Sequence, residues 1–351
     1  MSQYWTDIVN KLDPYIPGEQ PQDQQYVKLN TNENPYPPSA KAIQAIDSYK
    51  KDKLKLYPDP ESTLLREALA FRFNLQKENI FVGNGSDEVL AHSFQAFFKQ
   101  QKNLLFPDLS YSFYPVYCGL YEIESTTIPL NENFTINSAD YNIDNGGIII
   151  PNPNAPTSIL MPLSDIEKIC RESSSVVIID EAYIDFGGET AIPLTKKYDN
   201  LLVIQTFSKS RSMAGLRLGY AVGHAALIDG LNRIKNSFNS YPVDSLAQVA
   251  AVASIKDEPY FQQSCQKIIQ TRKKATEDLQ KLGFTVLPSA ANFIFVTHQT
   301  RGAQQLYAEL KQAGVLVRYF NKPRIDNYLR ITIGTDEEMQ TLISTLHGLL
   351  T

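Results

Sequence analysis

The sequence predicts an α/β protein with a mainly parallel central sheet covered by helices, followed by a smaller α+β domain. Three observations lead there. Short apolar runs rich in β-branched residues alternate with helix-like spacing through most of the chain, that rhythm changes after Tyr241-Pro242, and two of the apolar runs stop at side chains fit for catalysis. A length of 351 residues suits one large domain plus one smaller one.

Taken in order, residues 14–25 are rich in Pro and Gln and read as an extended arm, so residues 1–27 are expected to join the smaller domain. The strand candidates are residues 80–82, 104–106, 148–150, 176–179 and 201–204, each a compact apolar run of the kind buried on both faces of a parallel sheet. Between them, residues 64–73, 89–98 and 163–170 carry helical spacing. The large domain is expected over residues 28–241. In the smaller domain, residues 242–351, helices are expected at 246–255 and 261–282, with strands near 284–287, 293–296, 315–317 and 329–333. A last helix shows Met339, Leu342, Ile343, Leu346 and Leu349 on one face, which is a core face.

Composition excludes several classes. A net charge of -5 leaves no basic footprint for a nucleic acid, so small-molecule substrates are expected instead. The three cysteines, Cys118, Cys170 and Cys265, are far apart and give neither a disulfide framework nor zinc spacing. No apolar run approaches membrane-spanning length, and residues 1–10 lack a basic segment followed by an apolar core, so a soluble cytoplasmic protein is expected. The four histidines match no catalytic motif.

Chemistry concentrates in two segments. Thr206-Phe207-Ser208-Lys209-Ser210-Arg211-Ser212-Met213-Ala214-Gly215-Leu216-Arg217 sets one lysine among hydroxyls directly after an apolar strand. Such a lysine can form a Schiff base with an aldehyde cofactor while Arg217 holds that cofactor's phosphate. An isolated lysine here would simply be a surface lysine. The second segment, Val176-Val177-Ile178-Ile179-Asp180-Glu181-Ala182-Tyr183, ends a buried strand in an acid. Pyridoxal phosphate needs a carboxylate against its ring nitrogen, which Asp180 can supply, and Tyr183 can donate to the ring oxygen. A third segment, Gly83-Asn84-Gly85-Ser86-Asp87-Glu88, runs from a strand into a helix, where free N–H groups can receive an anion. It lacks the full dinucleotide fingerprint, which argues against a nucleotide-binding α/β protein. The cofactor phosphate is therefore expected on the Gly85 and Ser86 amides beside Asp87, the Thr206 and Ser208 hydroxyls, and the Arg217 guanidinium.

With these segments in place, the chain resembles the fold-type I pyridoxal-phosphate aminotransferases over nearly its whole length. The matches run from Leu12-Asp13-Pro14-Tyr15 and Leu29-Asn30-Thr31-Asn32-Glu33-Asn34-Pro35, through Tyr57-Pro58-Asp59, to Tyr328-Leu329-Arg330-Ile331-Thr332. The resemblance implies pyridoxal 5'-phosphate on Lys209 and a transfer of the amino group of L-histidinol phosphate to 2-oxoglutarate in two half-reactions. It also implies that Tyr111 stacks on the pyridine ring and that Tyr57 reaches the cofactor phosphate of the neighbouring subunit of a homodimer. Arg330 would grip the substrate's acidic group, with Arg318 and Tyr15 completing a seat for a phosphate ester.

One stretch departs from the family's Asn-Pro-Thr-Gly. The chain reads Asn152-Pro153-Asn154-Ala155-Pro156-Thr157-Ser158, so Ala155 stands where an asparagine usually bonds the cofactor's ring oxygen. Either Asn154 reaches in from one residue earlier or Tyr183 carries that contact alone. An aromatic-amino-acid aminotransferase or a threonine-phosphate decarboxylase of the same family would use the same lysine, aspartate and arginines. A non-catalytic sensor on this fold would need a DNA-binding extension, and no helix-turn-helix segment is visible.

Overall fold

A computed structural model describes residues 2–21 and 23–351; Met1 and Gln22 of the expected arm lie outside the described residues. The main sheet has seven strands in the order Ile80–Asn84, Leu218–Gly223, Leu201–Thr206, Val177–Asp180, Gly147–Pro151, Leu104–Pro107 and Ser125–Ile128. The last five run parallel to one another, whereas Leu218–Gly223 is antiparallel to both its neighbours. The five expected strands of the large domain are all present. The two that sequence reading missed are Leu218–Gly223, which carries two glycines in six residues, and Ser125–Ile128, an edge strand whose first three residues are exposed.

The uninterrupted apolar runs follow from burial on both sides. Ile148, Ile150, Val177, Ile179, Leu201 and Val203 face one core, and the alternate residues Ile149, Ile178, Leu202 and Ile204 face another. Helices Thr63–Phe73, Leu163–Glu172 and Ser245–Ile255 cover the first face through Leu65, Ile166 and Ala247. Helices Gly85–Ser93 and Ala225–Phe238 cover the second through Val89 and Ile228. His92 lies in this second layer, edge-on to Phe81 and Phe238, where burial lowers its pKa to about 4, so it is neutral and structural.

A separate core fills the rest. A four-stranded antiparallel sheet, in the order Arg318–Tyr319, Leu329–Thr332, Phe293–His298, Phe284–Val286, packs with helices Glu258–Lys281, Ala303–Gln312 and Asp336–Leu350. Val27–Lys28 pairs in parallel with Val315–Leu316, and Leu29 is buried in the same core. Helix Ser245–Ile255 packs Ala247, Ala250 and Ala251 against the main sheet's layer, and the second core begins with Phe261. The change of rhythm at Tyr241-Pro242 marks the passage from a helix on one face of the main sheet to a helix on the other, which periodicity alone does not distinguish from a change of domain.

Candidate active site

Parallel strands deliver their C-terminal ends to one edge of the sheet, and open α/β sheets bind ligands outside those ends. Pro151, Asp180 and Ile204 lie side by side in register, and Thr206 ends its strand two residues further on. The chain then turns through residues 207–213, closed by Met213 N–H to Phe207 O at 3.0 Å, and this turn carries Lys209. Asp180, Tyr183, Thr206, Ser208, Lys209 and Arg217 line one cavity of ≈ 290 Å³, together with Ser86, Asp87 and Tyr111. A second cavity of ≈ 440 Å³ adjoins it and shares Tyr15, Tyr111, Ala155, Arg318 and Arg330. Thirteen of the expected site residues thus meet in or against one place, Gly85 directly behind Arg217.

Each side chain there is held by identifiable contacts. The Asp180 carboxyl is buried, accepts from Tyr114 Oη at 2.9 Å and from Ala182 N–H at 3.2 Å, and burial pushes its pKa up to about 6. Lys209 Nζ donates to Thr31 O at 3.3 Å and lies 5.8 Å from the centre of the Tyr183 ring. Tyr183 Oη accepts from Asn32 Nδ2 at 3.1 Å. Tyr111 sets its ring edge-on to Tyr114 and donates its hydroxyl to Asp87 Oδ1 at 2.9 Å. The other oxygen of Asp87 pairs with Arg217 Nη2 at 2.8 Å.

Gly85 shows why glycine is required at the start of its helix. Its φ is +79°, and a Cβ there would lie 2.6 Å from Arg217 Nη2, so the guanidinium packs flat against the backbone only because no side chain intervenes. Of the two hydroxyls expected at the anion, Thr206 Oγ1 already gives its proton to Leu218 O at 3.2 Å and accepts from Ser208 N–H at 3.1 Å. Thr206 shapes the turn, which leaves Ser208 as the hydroxyl with a proton to offer.

Two of the expected residues lie outside the Lys209 cavity of this chain. Asn154 does not reach the Lys209 cavity: its Nδ2 donates to Leu109 O at 3.0 Å and Thr157 Oγ1 at 2.8 Å, on the side of a different pocket. Ala155 is the residue that lines the Lys209 cavity, at the start of a turn closed by Ser158 N–H to Asn154 O at 2.7 Å. Tyr57 lines neither cavity of its own chain; it is 80% exposed and stacks on Tyr241 at 4.6 Å. Sequence reasoning also missed Tyr114, Asn32 and Thr31. Tyr114 is one aromatic among 19 Tyr and 17 Phe with nothing local to mark it, and Asn30-Thr31-Asn32 is part of a matching motif without an assigned role.

On the substrate side, Arg330 Nη2 donates to Asn30 O at 2.9 Å, and its guanidinium lies between the Phe293 and Phe320 rings at 5.4 and 5.5 Å. Burial holds its pKa below the usual arginine range, with repulsion from Arg318 adding to the effect. The largest influences favouring the protonated form of Arg330 come from Tyr183, Tyr15 and Tyr111.

A covered parallel sheet with a lysine on the turn after one strand, and a buried carboxylate ending the next, defines the site of an aminotransferase fold. The family model described as "Aminotransferase class I and II" matches residues 24–346, and the chain belongs to that family. It is 60% identical over 351 residues to histidinol-phosphate aminotransferase 1 of Hydrogenovibrio crunogenus, covering 100% of this chain and 99% of that protein. Among solved structures, histidinol-phosphate aminotransferase from Clostridium acetobutylicum superposes with a TM-score of 0.84 at 25% identity, over 92% of this chain and 98% of that one. The Sinorhizobium meliloti histidinol-phosphate aminotransferase, in complex with pyridoxal-5'-phosphate, shares the fold with a TM-score of 0.89 at 20% identity, over 100% and 98% of the two chains.

Proposed function

We propose that the chain transfers the amino group of L-histidinol phosphate to 2-oxoglutarate, as a step of histidine biosynthesis, using pyridoxal 5'-phosphate held by Lys209. The full-length relatives that share the name of this activity support it, and one structural observation carries the choice of substrate. Arg318 and Arg330 are cross-strand partners that both line the cavities next to Lys209, each disfavouring the other's charge, and the largest influences favouring the charge of Arg330 come from tyrosines. A doubly charged phosphate ester relieves both arginines at once, which a neutral or singly charged group does less well.

The donor set suits the cofactor. Asp180 is a buried acid whose raised pKa would fall when a cationic ring N–H came against it. Ser86 N–H, the Ser208 hydroxyl and Arg217 suit the phosphate, Tyr111 the ring face, and Tyr183 the ring oxygen. When bound, pyridoxal phosphate supplies an aldehyde to capture the substrate amine and a ring that withdraws electrons from the bond being broken. Lys209 Nζ anchors the group and, when free, carries the proton taken from the substrate carbon. Thr31 O keeps that amine within reach of the cavity by its hydrogen bond. Asp180 holds the ring's proton in place, and Tyr15, Arg318 and Arg330 orient the phosphate end.

The decisive experiment adds histidinol phosphate, phenylalanine or threonine phosphate to cofactor-loaded enzyme without 2-oxoglutarate and follows the visible spectrum. Conversion at low histidinol phosphate alone is expected; an equal response to phenylalanine would sink the assignment. Arg318→Ala should raise KM for histidinol phosphate by about 10- to 150-fold, the worth of one hydrogen-bonded charge, with a smaller change in kcat. An unchanged KM would remove Arg318 from the substrate seat.

A homodimer belongs to the same proposal. Leu54, Leu56, Tyr57 and Tyr241 are large apolar side chains left exposed together, and Tyr57 would complete the neighbouring phosphate cradle. A monomer in sedimentation at working concentration would contradict this. Three buried free thiols support a reducing, cytoplasmic location, which fractionation would test.

A further inference from the structure

Asn32 has no part in the roles above, yet it is almost completely buried at the edge of the Lys209 cavity and sits in the left-handed backbone region at φ 56°. Asparagine tolerates that region better than most residues. Its hydrogen bonds fix its amide uniquely. Thr332 Oγ1 accepts from the Asn32 backbone N–H at 3.0 Å, so its single proton goes to Asn32 Oδ1 at 3.1 Å. Turning the amide over would leave the threonine proton without an acceptor and set the amide oxygen against Tyr183. Nδ2 therefore faces Tyr183 Oη at 3.1 Å and donates to it. Asn292 Nδ2 holds the Asn32 carbonyl at 3.0 Å, which pins the backbone beneath.

A phenol oxygen that receives a hydrogen bond from the protein keeps its own proton for another acceptor, and Tyr183 opens on the cavity. The geometry points to Asn32 as a positioning residue that, locked by Thr332, makes Tyr183 a hydrogen-bond donor to the cofactor's ring oxygen. This rests on the cofactor assignment proposed above. The arrangement matters more here because Ala155 occupies the place of a second donor and Asn154 is turned away. Tyr183 belongs to the main sheet's strand ends, whereas Thr332 and Asn292 come from the smaller core, so the proton's direction is set across the join between the two.

The test is a pH titration of the visible absorbance of the lysine-bound cofactor, which reports the proton shared between the lysine-derived nitrogen and the ring oxygen. A hydrogen bond to that oxygen lowers the midpoint. Asn32→Asp replaces the donor by a carboxylate that draws the Tyr183 proton to itself, and should raise the midpoint by on the order of one pH unit. In a Tyr183→Phe background the same substitution should add nothing. A shift that persists there would mean the new charge acts directly, and the inference would fall. Thr332→Val should move the midpoint the same way by less, while Thr332→Ser, which keeps the hydroxyl, should behave as the unsubstituted protein. Should Asn32→Asp not fold, judged by the thermal midpoint of the cofactor-free protein, the Thr332 pair decides alone. An unmoved midpoint in Thr332→Val, or in Asn32→Asp, overturns the role of Asn32. Absence of any colour change in the unsubstituted protein would overturn the cofactor assignment itself and this inference with it.

Discussion

Lys209→Ala is expected to abolish the visible absorbance that accompanies covalent attachment of pyridoxal phosphate and to lower turnover by at least about 10³-fold, within the range that a positioned general base contributes. Both losses follow from one atom. Lys209 Nζ is the amine offered to this cavity, with Thr31 O its hydrogen-bond partner, and among the described residues no other lysine lines the same pocket. The fold should survive, because the turn is closed by the backbone bond from Met213 to Phe207 and does not depend on the side chain. Spectra and single-turnover rates measured on the same preparation check the outcome, and near-normal activity would reject the assignment of the lysine.

Asp180→Asn should cost almost as much while preserving shape. Removing one partner of a buried ion pair costs about 3–5 kcal/mol, so turnover should fall by about 10²- to 10³-fold or more. The pH behaviour has a definite sign. Burial raises the pKa of Asp180 from 3.8 to about 6 in the folded chain, so its contribution to the stability of the cofactor-free protein is fully present below 3.8 and is lost as pH rises through 6. Cofactor-free Asp180→Asn should therefore be the more stable of the two at neutral pH. Cofactor affinity in the unsubstituted protein should rise as pH climbs through about 6, when the carboxylate becomes available to a cationic ring, and Asp180→Asn should lack that dependence. Thermal midpoints and cofactor titrations from pH 5 to 8 test both; equal stability at pH 7.5 would contradict the burial account.

Most of the main sheet was legible because strands buried on both faces must be apolar throughout, as Ile148, Ile149 and Ile150 are. Leu218–Gly223 was not, since Gly219 and Gly223 dilute its pattern for reasons of close approach: a Cβ on Gly219 would lie 2.3 Å from Ser86 N. Lys209, Asp180 and Arg217 were legible because chemistry at strand ends leaves a polar residue abruptly after an apolar run. The choice between Asn154 and Tyr183 was not legible because motif spacing gives position along the chain but not the direction in which a residue beside a turn points. Asn32 was passed over because its role depends on Tyr183 and Thr332, 151 and 300 residues away in sequence, and such a contact leaves no local trace.

The pairing of Asp87 with Arg217 gives the phosphate cradle a character of its own. Its one guanidinium arrives already neutralised, so an incoming anion gains little from long-range attraction and must exchange counterions with a carboxylate on the same helix. Selectivity then falls to the directional donors, the helix amide of Ser86 and the Ser208 hydroxyl, which recognise a tetrahedral group by its shape. Cofactor retention by such a cradle should vary only weakly with ionic strength, and stray sulfate or inorganic phosphate would compete for it poorly.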